Sequence, residues 1–235
     1  MYKFEGSMRL EDCNWLDVEN YLKQDDRLMV ILGACEQHGY LSLLSDVRIP
    51  QALADSASQR SGVMVAPAIN YGISPYFLDY PGSFSLRVTT LLDLTEDVVH
   101  SAYRQGFRRF LFLNGHGGND PVRHRLYELA NQLPGAFFAW YAWWVSKSVE
   151  AVALKHNLKL SHAAWSEAFT FTRVADLPEG EKIPTCIPGL MGAQEARQVY
   201  GDGSFGGPYQ VNQSILQEIF EAALLDVMEL LNFRK

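Results

Sequence analysis

Cysteine is scarce in this chain: Cys13, Cys35 and Cys186 are the only three among 235 residues. The number is odd and the spacing wide, which argues against a disulfide framework and against a cysteine-based zinc site. Cys35 reads as a small buried residue. Positive charge is in deficit too. Twenty lysines and arginines face 27 aspartates and glutamates, for a formal charge of -7, so the basic surface that nucleic acid or an anionic membrane would need is missing. No stretch approaches the roughly 18 consecutive apolar residues of a membrane span. The opening MYKFEGSMRLEDCNW mixes both charges with apolar residues and carries no signal-peptide core, so a cytoplasmic protein is expected.

What the chain has in quantity is apolar surface to bury. With 48% of its residues hydrophobic it can build one sizeable core, and a single domain over residues 1–235 is expected. Short runs rich in Val, Ile and Phe alternate with stretches of helical period, the pattern of an α/β protein with a largely parallel sheet. Strands are predicted at Leu28 to Leu32, Val63 to Ala66, Phe110 to Leu113 and Phe137 to Trp143. Helices are predicted at Ile49 to Gln59, at Leu94 to Gln105 with Thr95 as N-cap and Gly106 as stop, and after NGHGGNDP, where Asn119 or Asp120 can cap and Pro121 falls in the first turn. Further helices are predicted at Ser146 to His156, Trp165 to Ala175 and Gln213 to Leu231. The last carries Ile215, Ile219, Ala223, Leu224 and Val227 on one stripe that suits packing on the sheet. The PAINYGISPYFLDYPGSFSL segment is a long loop of the kind that usually serves function.

Two clusters carry candidate chemistry. In ILGACEQHGYLSLLSD, Glu36 and His38 follow the first strand two residues apart. In extended chain that spacing points both side chains the same way, toward one cation or two adjacent ones. Asp46 arrives ten residues after Glu36, before helical periodicity begins, and its carboxylate could bridge two cations. The cluster lies at the carboxyl end of a strand, where open α/β sheets place their ligands. NGHGGN puts His116 at a second strand end among three glycines, beside main-chain N–H groups that could meet developing negative charge. As a phosphate cradle this loop lacks the Lys-Ser/Thr of a P-loop. As an esterase turn it lacks a G-x-S-x-G nucleophile elbow; the nearest run, GDGSFGG around Ser204, has Asp202 where the first glycine belongs.

Taken in order, E-Q-H-G, the following aspartate, Y-G-x-S, P-G-S, GFRRFLFLNGHGGN and a later His-Ala element resemble the creatininase family, over roughly residues 28 to 175. That family includes creatinine amidohydrolase, formamide hydrolases and a peptidase of the mycofactocin pathway. The resemblance implies a three-layer α/β/α sandwich, one or two divalent ions per chain (zinc, manganese or iron), and a homo-oligomer, often a hexamer. By position, Glu36 and His116 would hold one cation, His38 the other, and Asp46 would bridge them. His162, opening HAAWSEA, would be the proton shuttle, and Ser74 would touch substrate. Trp143 or Trp144 could form an aromatic wall.

The chain departs from the family pattern at two places. The family's G-P-H-L-P-L stretch is replaced by Gly39-Tyr40-Leu41-Ser42-Leu43-Leu44, and Trp165 stands where a first glutamate belongs. Creatininase proper has a glutamate in its glycine loop where this chain has Gly118. The second cation would then lack a carboxylate unless Glu167 or Asp120 reaches in; Glu167 could equally orient a ligand or His162 from outside. The expected activity is hydrolysis of a C–N bond in a small-molecule amide, cyclic amide or formamide by metal-activated water, with His162 as the acid, Glu167 in its support and the amides of Gly117 and Gly118 facing the oxyanion. The alternative is a catalytically impaired member that binds a ligand or serves as a structural oligomer. His100, His124 and His156 read as ordinary surface or packing residues.

Overall fold

Two runs, RLMVIL and RFLFLN, are too continuously apolar for strands with a wet face and form the buried centre of a sheet, while a third, FFAWYA, lies along its edge with Phe137 exposed. The computed structural model describes residues 6–185 and 189–233, so Cys186 lies outside the described residues. In chain order the main elements are α1 (Trp15–Leu22), β1 (Arg27–Leu32), α2 (Ser45–Ser61), β2 (Met64–Val65), α3 (Val88–Gln105), β3 (Arg109–Asn114), α4 (Asp120–Gln132), β4 (Phe137–Ala142) and α5 (Lys147–Lys155). They are followed by β5 (Glu181–Lys182), α6 (Ala193–Tyr200), β6 (Gly207–Pro208) and α7 (Gln213–Leu230).

β1 to β4 form a parallel sheet in the order β2-β1-β3-β4. The register is flush: Leu32, Asn114 and Ala142 sit side by side at the carboxyl ends of β1, β3 and β4. Winding outward from β1 in both directions makes the gap between β1 and β3 the switch point, where the loops leaving the two strands diverge and open a crevice. Alternate side chains go to opposite faces. Met29, Ile31, Leu111 and Leu113 meet α2, α5 and α7, while Leu28, Val30, Phe110 and Phe112 meet α1, α3 and α4. The result is the expected three-layer α/β/α architecture. At the amino ends, Arg27 pairs with Asp25 and Arg109 with Asp26, which seals the bottom of the sheet.

Several boundaries differ from the sequence reading for identifiable reasons. α2 starts at Ser45, four residues before the apolar period becomes visible, so Asp46 lies in its first turn and not ahead of the helix. α3 starts at Val88. Thr95 is interior, and its hydroxyl donates back to the Leu91 carbonyl, a use of threonine that mimics a cap in sequence. Asn119 precedes α4 but does not cap it; its side chain accepts from Ile73 N–H and donates to the Gly33 carbonyl, joining three loops. Ser146 does cap α5, accepting from Ser148 and Val149.

The predicted helix from Trp165 to Ala175 is absent. One 3₁₀ turn, Trp165–Glu167, is followed by further turns. The Thr172 hydroxyl lies 2.5 Å from the Glu167 carbonyl and 2.8 Å from that of Phe169, occupying acceptors a helix would need. Trp165 and Phe169 pack in the core from these turns and not from a helical face. α1, α6 and the antiparallel β5–β6 pair had no counterpart in the sequence reading. Among the described residues no helix is long and apolar enough to cross a membrane.

Candidate metal centre

The loop leaving β1 is tied down at each step. Glu36 N–H donates to the Leu43 carbonyl, Gln37 N–H to the Ser83 hydroxyl, and Ser42 N–H to the Thr172 carbonyl. Glu36 and His38 therefore project into the crevice as fixed, buried side chains. The loop leaving β3 supplies His116, and the first turn of α2 supplies Asp46 between them. Glu167 arrives from the 3₁₀ turn beyond the last sheet strand.

These five residues form two groups that share Asp46. Glu36, Asp46 and His116 can each turn one ligand atom toward a common point, as can His38, Asp46 and Glu167, with the ligand atoms of a group all within 4.8 Å of one another. Asp46 Oδ1 lies 2.9 Å from His38 Nε2, and Asp46 Oδ2 lies 3.0 Å from His116 Nδ1. His116 Nδ1 is also 3.3 Å from Glu36 Oε1, and His38 Nε2 is 3.9 Å from Glu167 Oε2. A carboxylate between two imidazoles, each with its own second carboxylate, is the donor set of a paired divalent-ion site.

The outer contacts of both rings point to the same use. His116 Nε2 lies 2.9 Å from the Ile73 carbonyl, an acceptor only, so that nitrogen carries a proton and Nδ1 turns its lone pair on the two carboxylates. His38 repeats the pattern: Nδ1 faces the Glu36 carbonyl at 3.2 Å, leaving the Nε2 lone pair toward Asp46. Lone pairs directed at carboxylates repel unless a proton or a cation stands between them, and carbonyl-anchored imidazoles are the usual arrangement of metal ligands. Glu36 Oε2 and Asp46 Oδ2 are buried without a hydrogen-bond partner. Unsatisfied carboxylate oxygens at such depth are costly, and the donor set accommodates a cation at each group.

The electrostatics state the same demand for positive charge. Burial opposes a charged His38 ring, but Asp46 together with Glu167 and Glu36 outweighs it and lifts the ring to about 10. His116 is raised likewise, with Glu36 and then Asp46 overcoming burial. Burial would raise Asp46, yet the two imidazoles hold it well below the ordinary carboxylate range. For Glu167 burial prevails over His38 and lifts the carboxyl to about 7. Burial, followed by the charge of His38, pushes His162 well below its ordinary value, which keeps this ring neutral.

His162 stands beside the centre, with a ring nitrogen within 4.8 Å of ligand atoms of Glu36 and His38. The cluster opens into a cleft of about 620 Å³, lined in part by Gly117, Trp143, Trp144, Tyr76, His162 and Phe205. The structure thus brings Glu36, His38, Asp46, His116, His162 and Glu167 together. Gly117, Trp143 and Trp144 lie on the cleft wall. Two expected substrate contacts lie elsewhere. Ser74 is fully buried, with its hydroxyl 3.2 Å from His116 Nε2, so it supports the ring from behind and does not line the cleft. Gly118 is also outside the lining; a methyl group there would fall 1.9 Å from the Ile73 carbonyl and 2.5 Å from His116 Nε2. Its lack of a side chain is what lets the ring reach that carbonyl.

The gap expected at the second group is filled. Glu167 reaches in, while Asp120 is exposed on α4. Trp165 is wholly buried in the core, donating from Nε1 to the Lys159 carbonyl at 2.9 Å. Ala163, with φ of 51°, turns the chain between His162 and Glu167, and its N–H donates to Glu167 Oε2 at 2.6 Å. Tyr76, Tyr200, Phe205 and Gln37 belong to the cleft or its support and were missed as site residues. His100, His124 and His156 join no ligand group among the described residues.

A parallel α/β sheet with a buried carboxylate and imidazole cluster at its switch point defines a candidate two-cation protein with a preformed cleft. The chain belongs to the creatininase family: the family profile described as creatinine amidohydrolase matches residues 11–231. Among sequence relatives, a creatinine amidohydrolase of Pseudomonas putida is 31% identical over 120 residues, 48% of this chain and 46% of that protein. A mycofactocin precursor peptide peptidase of Mycolicibacterium smegmatis is 35% identical over 99 residues, 39% of this chain and 40% of the relative. The chain thus spans less than half the length of these relatives in the matched stretches. In fold, a solved manganese creatininase superposes with a TM-score of 0.82 at 19% identity, covering 97% of this chain and 100% of that one.

Proposed function

We propose that this protein is a metal-dependent amidohydrolase that cleaves a C–N bond in a small-molecule amide, cyclic amide or formamide. The observation that carries the reading is Asp46 shared between the Glu36–His116 and His38–Glu167 pairs at the floor of an aromatic-walled cleft. Glu36, Asp46 and His116 would hold one divalent ion, and His38, Asp46 and Glu167 a second. Zinc, manganese and iron all suit this mixture of imidazole and carboxylate. Bound there, such ions would polarise a carbonyl and bring the pKa of a water molecule from 15.7 to about 7.

The chain's own residues supply the rest. Trp143 and Trp144 would hold a planar substrate against the wall, and a cleft of this size falls in the ordinary range for small molecules. The main-chain N–H of Gly117, in the turn that follows His116, would face the oxygen as it gains charge. His162, neutral and at the edge of the cluster, would take the proton released by the attacking water and pass it to the departing nitrogen, ending neutral again, a role typically contributing 10²–10⁴-fold. Glu167 braces the His162–Ala163 turn and closes the second ligand group. The impaired-member alternative rested on Trp165 and on the replaced stretch Gly39 to Leu44; the position of Glu167 beside His38 and Asp46 speaks against the first of these grounds.

A cytoplasmic location and a homo-oligomeric state, with a hexamer implied by the family, belong to the same proposal. The test is elemental analysis of protein purified without chelator, together with hydrolysis of a panel of cyclic amides, formamides and short peptides. Two tightly bound ions per chain and turnover abolished by chelation are expected. No bound ion, or turnover that survives full chelation, would overturn the reading.

A further inference from the structure

The run GDGSFGG, close to a nucleophile elbow in sequence, has another use in the structure. Residues 201–207 form a tight loop held from within by Lys182, whose ammonium donates to the carbonyls of Tyr200 and Ser204 and to the Asp202 carboxylate. Tyr209 donates to the other oxygen of Asp202. The loop sets Phe205 against His162, with ring centroids 4.7 Å apart, and Phe77 stacks on the same imidazole at 5.1 Å and 17°, itself 6.1 Å from Phe205. Packed against Phe77, Phe205 and the His38 ring, His162 has little rotational freedom. Which of its nitrogens carries the proton is the remaining variable.

Gln37 decides that variable. Its side chain touches two main-chain groups of fixed polarity: Gly39 N–H, which can only donate and lies 3.1 Å from Oε1, and the Gly203 carbonyl, which can only accept and lies 3.0 Å from Nε2. Reversing the amide would set oxygen against oxygen and N–H against N–H, so its orientation is fixed without reference to the histidine. The second N–H of the same nitrogen faces His162 Nε2 at 3.0 Å. That ring nitrogen must therefore accept.

We infer that Gln37 is a positioning residue that holds His162 in the Nδ1–H tautomer, with the glycine loop at 201–207 as its anchor. Gly203 is part of the device. Its φ is +95°, and a methyl group there would fall 1.7 Å from Gln37 Oε1, so the amide occupies the space of the missing side chain. The consequence for turnover rests on His162 being the proton carrier; the tautomer itself does not.

Histidine ¹⁵N and ¹³C NMR of the zinc-loaded full chain reads the tautomer directly, with the His162 signals assigned by their loss in His162→Gln. Wild type is expected to show the neutral Nδ1–H signature. Gln37→Glu replaces the donor by an acceptor and is expected to move His162 toward Nε2–H, lowering kcat on the order of 10–100-fold, as for losses of ligand-orienting partners, with a smaller change in KM. Gln37→Met is expected to give mixed tautomers. Gly203→Ala, outside the ligand groups, is expected to shift the tautomer in the same direction by displacing the amide. A wild-type ring in the Nε2–H form, or a signature unchanged in folded Gln37→Glu and Gln37→Met, would overturn the inference. Wild-type protein without amidase activity but with a tautomer that follows Gln37 would refute the proposed function and leave this inference standing.

Discussion

Gly115 packs so closely on Asp46 that a methyl group at its α-carbon would lie 1.8 Å from the Asp46 carbonyl oxygen. That carbonyl belongs to the first turn of α2, and the residue four positions on is Pro50, which has no N–H to offer it. The proline leaves the acceptor outside the helical ladder, and the glycine lets the β3 loop come up against it. The chain segment carrying His116 and the turn carrying Asp46 are thereby locked together through main chain. Gly115→Ala is expected to separate them. Metal affinity is expected to drop on the order of 10–100-fold, the usual cost of disturbing support behind ligands, measured by titration of the apoprotein with zinc. Affinity equal to wild type would show that the two loops are set independently.

Glu167 distinguishes a two-ion centre from a one-ion centre. Glu167→Gln keeps the volume and the acceptor for Ala163 N–H but removes the charge facing His38 and Asp46. Bound metal is expected to fall from two ions per chain toward one, with turnover down by about 100-fold or more, at or beyond the upper end for losses outside the ligand set. Elemental analysis of the variant decides it, and two tightly retained ions would mean that Glu167 only orients the His162 turn.

Asp46→Ala and His116→Ala probe the shared part of the centre. Asp46 belongs to both ligand groups, so its loss is expected to remove both ions. His116→Ala is expected to weaken the Glu36 group first. A graded result, none bound against one bound, is the signature of a bridging carboxylate, and equal retention in the two variants would contradict it.

Much of this was readable before any coordinates. The E-Q-H spacing, the glycines around His116 and the strand-loop-helix order pointed to four candidate ligands and to the fold, because strand ends and glycine turns leave strong local marks. What could not be read lies where distant segments meet. The role of Glu167 was open because sequence could not say which way a turn beyond the last strand faces. Ser74 looked like a substrate contact because its loop is near the site, but only the packing shows that it stands behind His116. Gln37 was passed over between two ligands, since its meaning lies in Gly203, 166 residues away. The helix expected after Trp165 failed because Thr172 and Ser166 bond locally to main chain, a competition that periodicity does not register.

Trp165→Glu tests the corrected role of that residue. Had the tryptophan merely displaced a ligand, the change would raise bound metal. Trp165 is instead fully buried, so an unpaired carboxylate in its place is expected to cost about 3–5 kcal/mol or more. Urea unfolding measures the loss; a variant of wild-type stability carrying an additional ion would restore the ligand reading.

Chelation has a structural prediction of its own. Three carboxylates converge at the centre; among the described residues Glu36 Oε2 has no hydrogen-bond partner, and Asp46 Oδ2 faces only His116 Nδ1, at 3.0 Å. Ions that bind only the folded chain stabilise it by about 4.1 kcal/mol at a thousand times Kd. Exhaustive treatment with a strong chelator is therefore expected to lower the thermal midpoint by several degrees, and zinc or manganese to restore it. A midpoint indifferent to chelator would mean that the cluster is already neutralised by protons.

The ligands come from far apart along the chain: Glu36 leaves the first strand, whereas Glu167 follows the last strand of the main sheet. No contiguous fragment short of roughly 130 residues contains both, and closing that span is among the slow, entropically expensive events of chain collapse. The complete coordination set therefore exists only after the four parallel strands have assembled in order. During synthesis, capture of the second ion would report that the sheet has been completed, so that occupancy serves as a record of successful maturation.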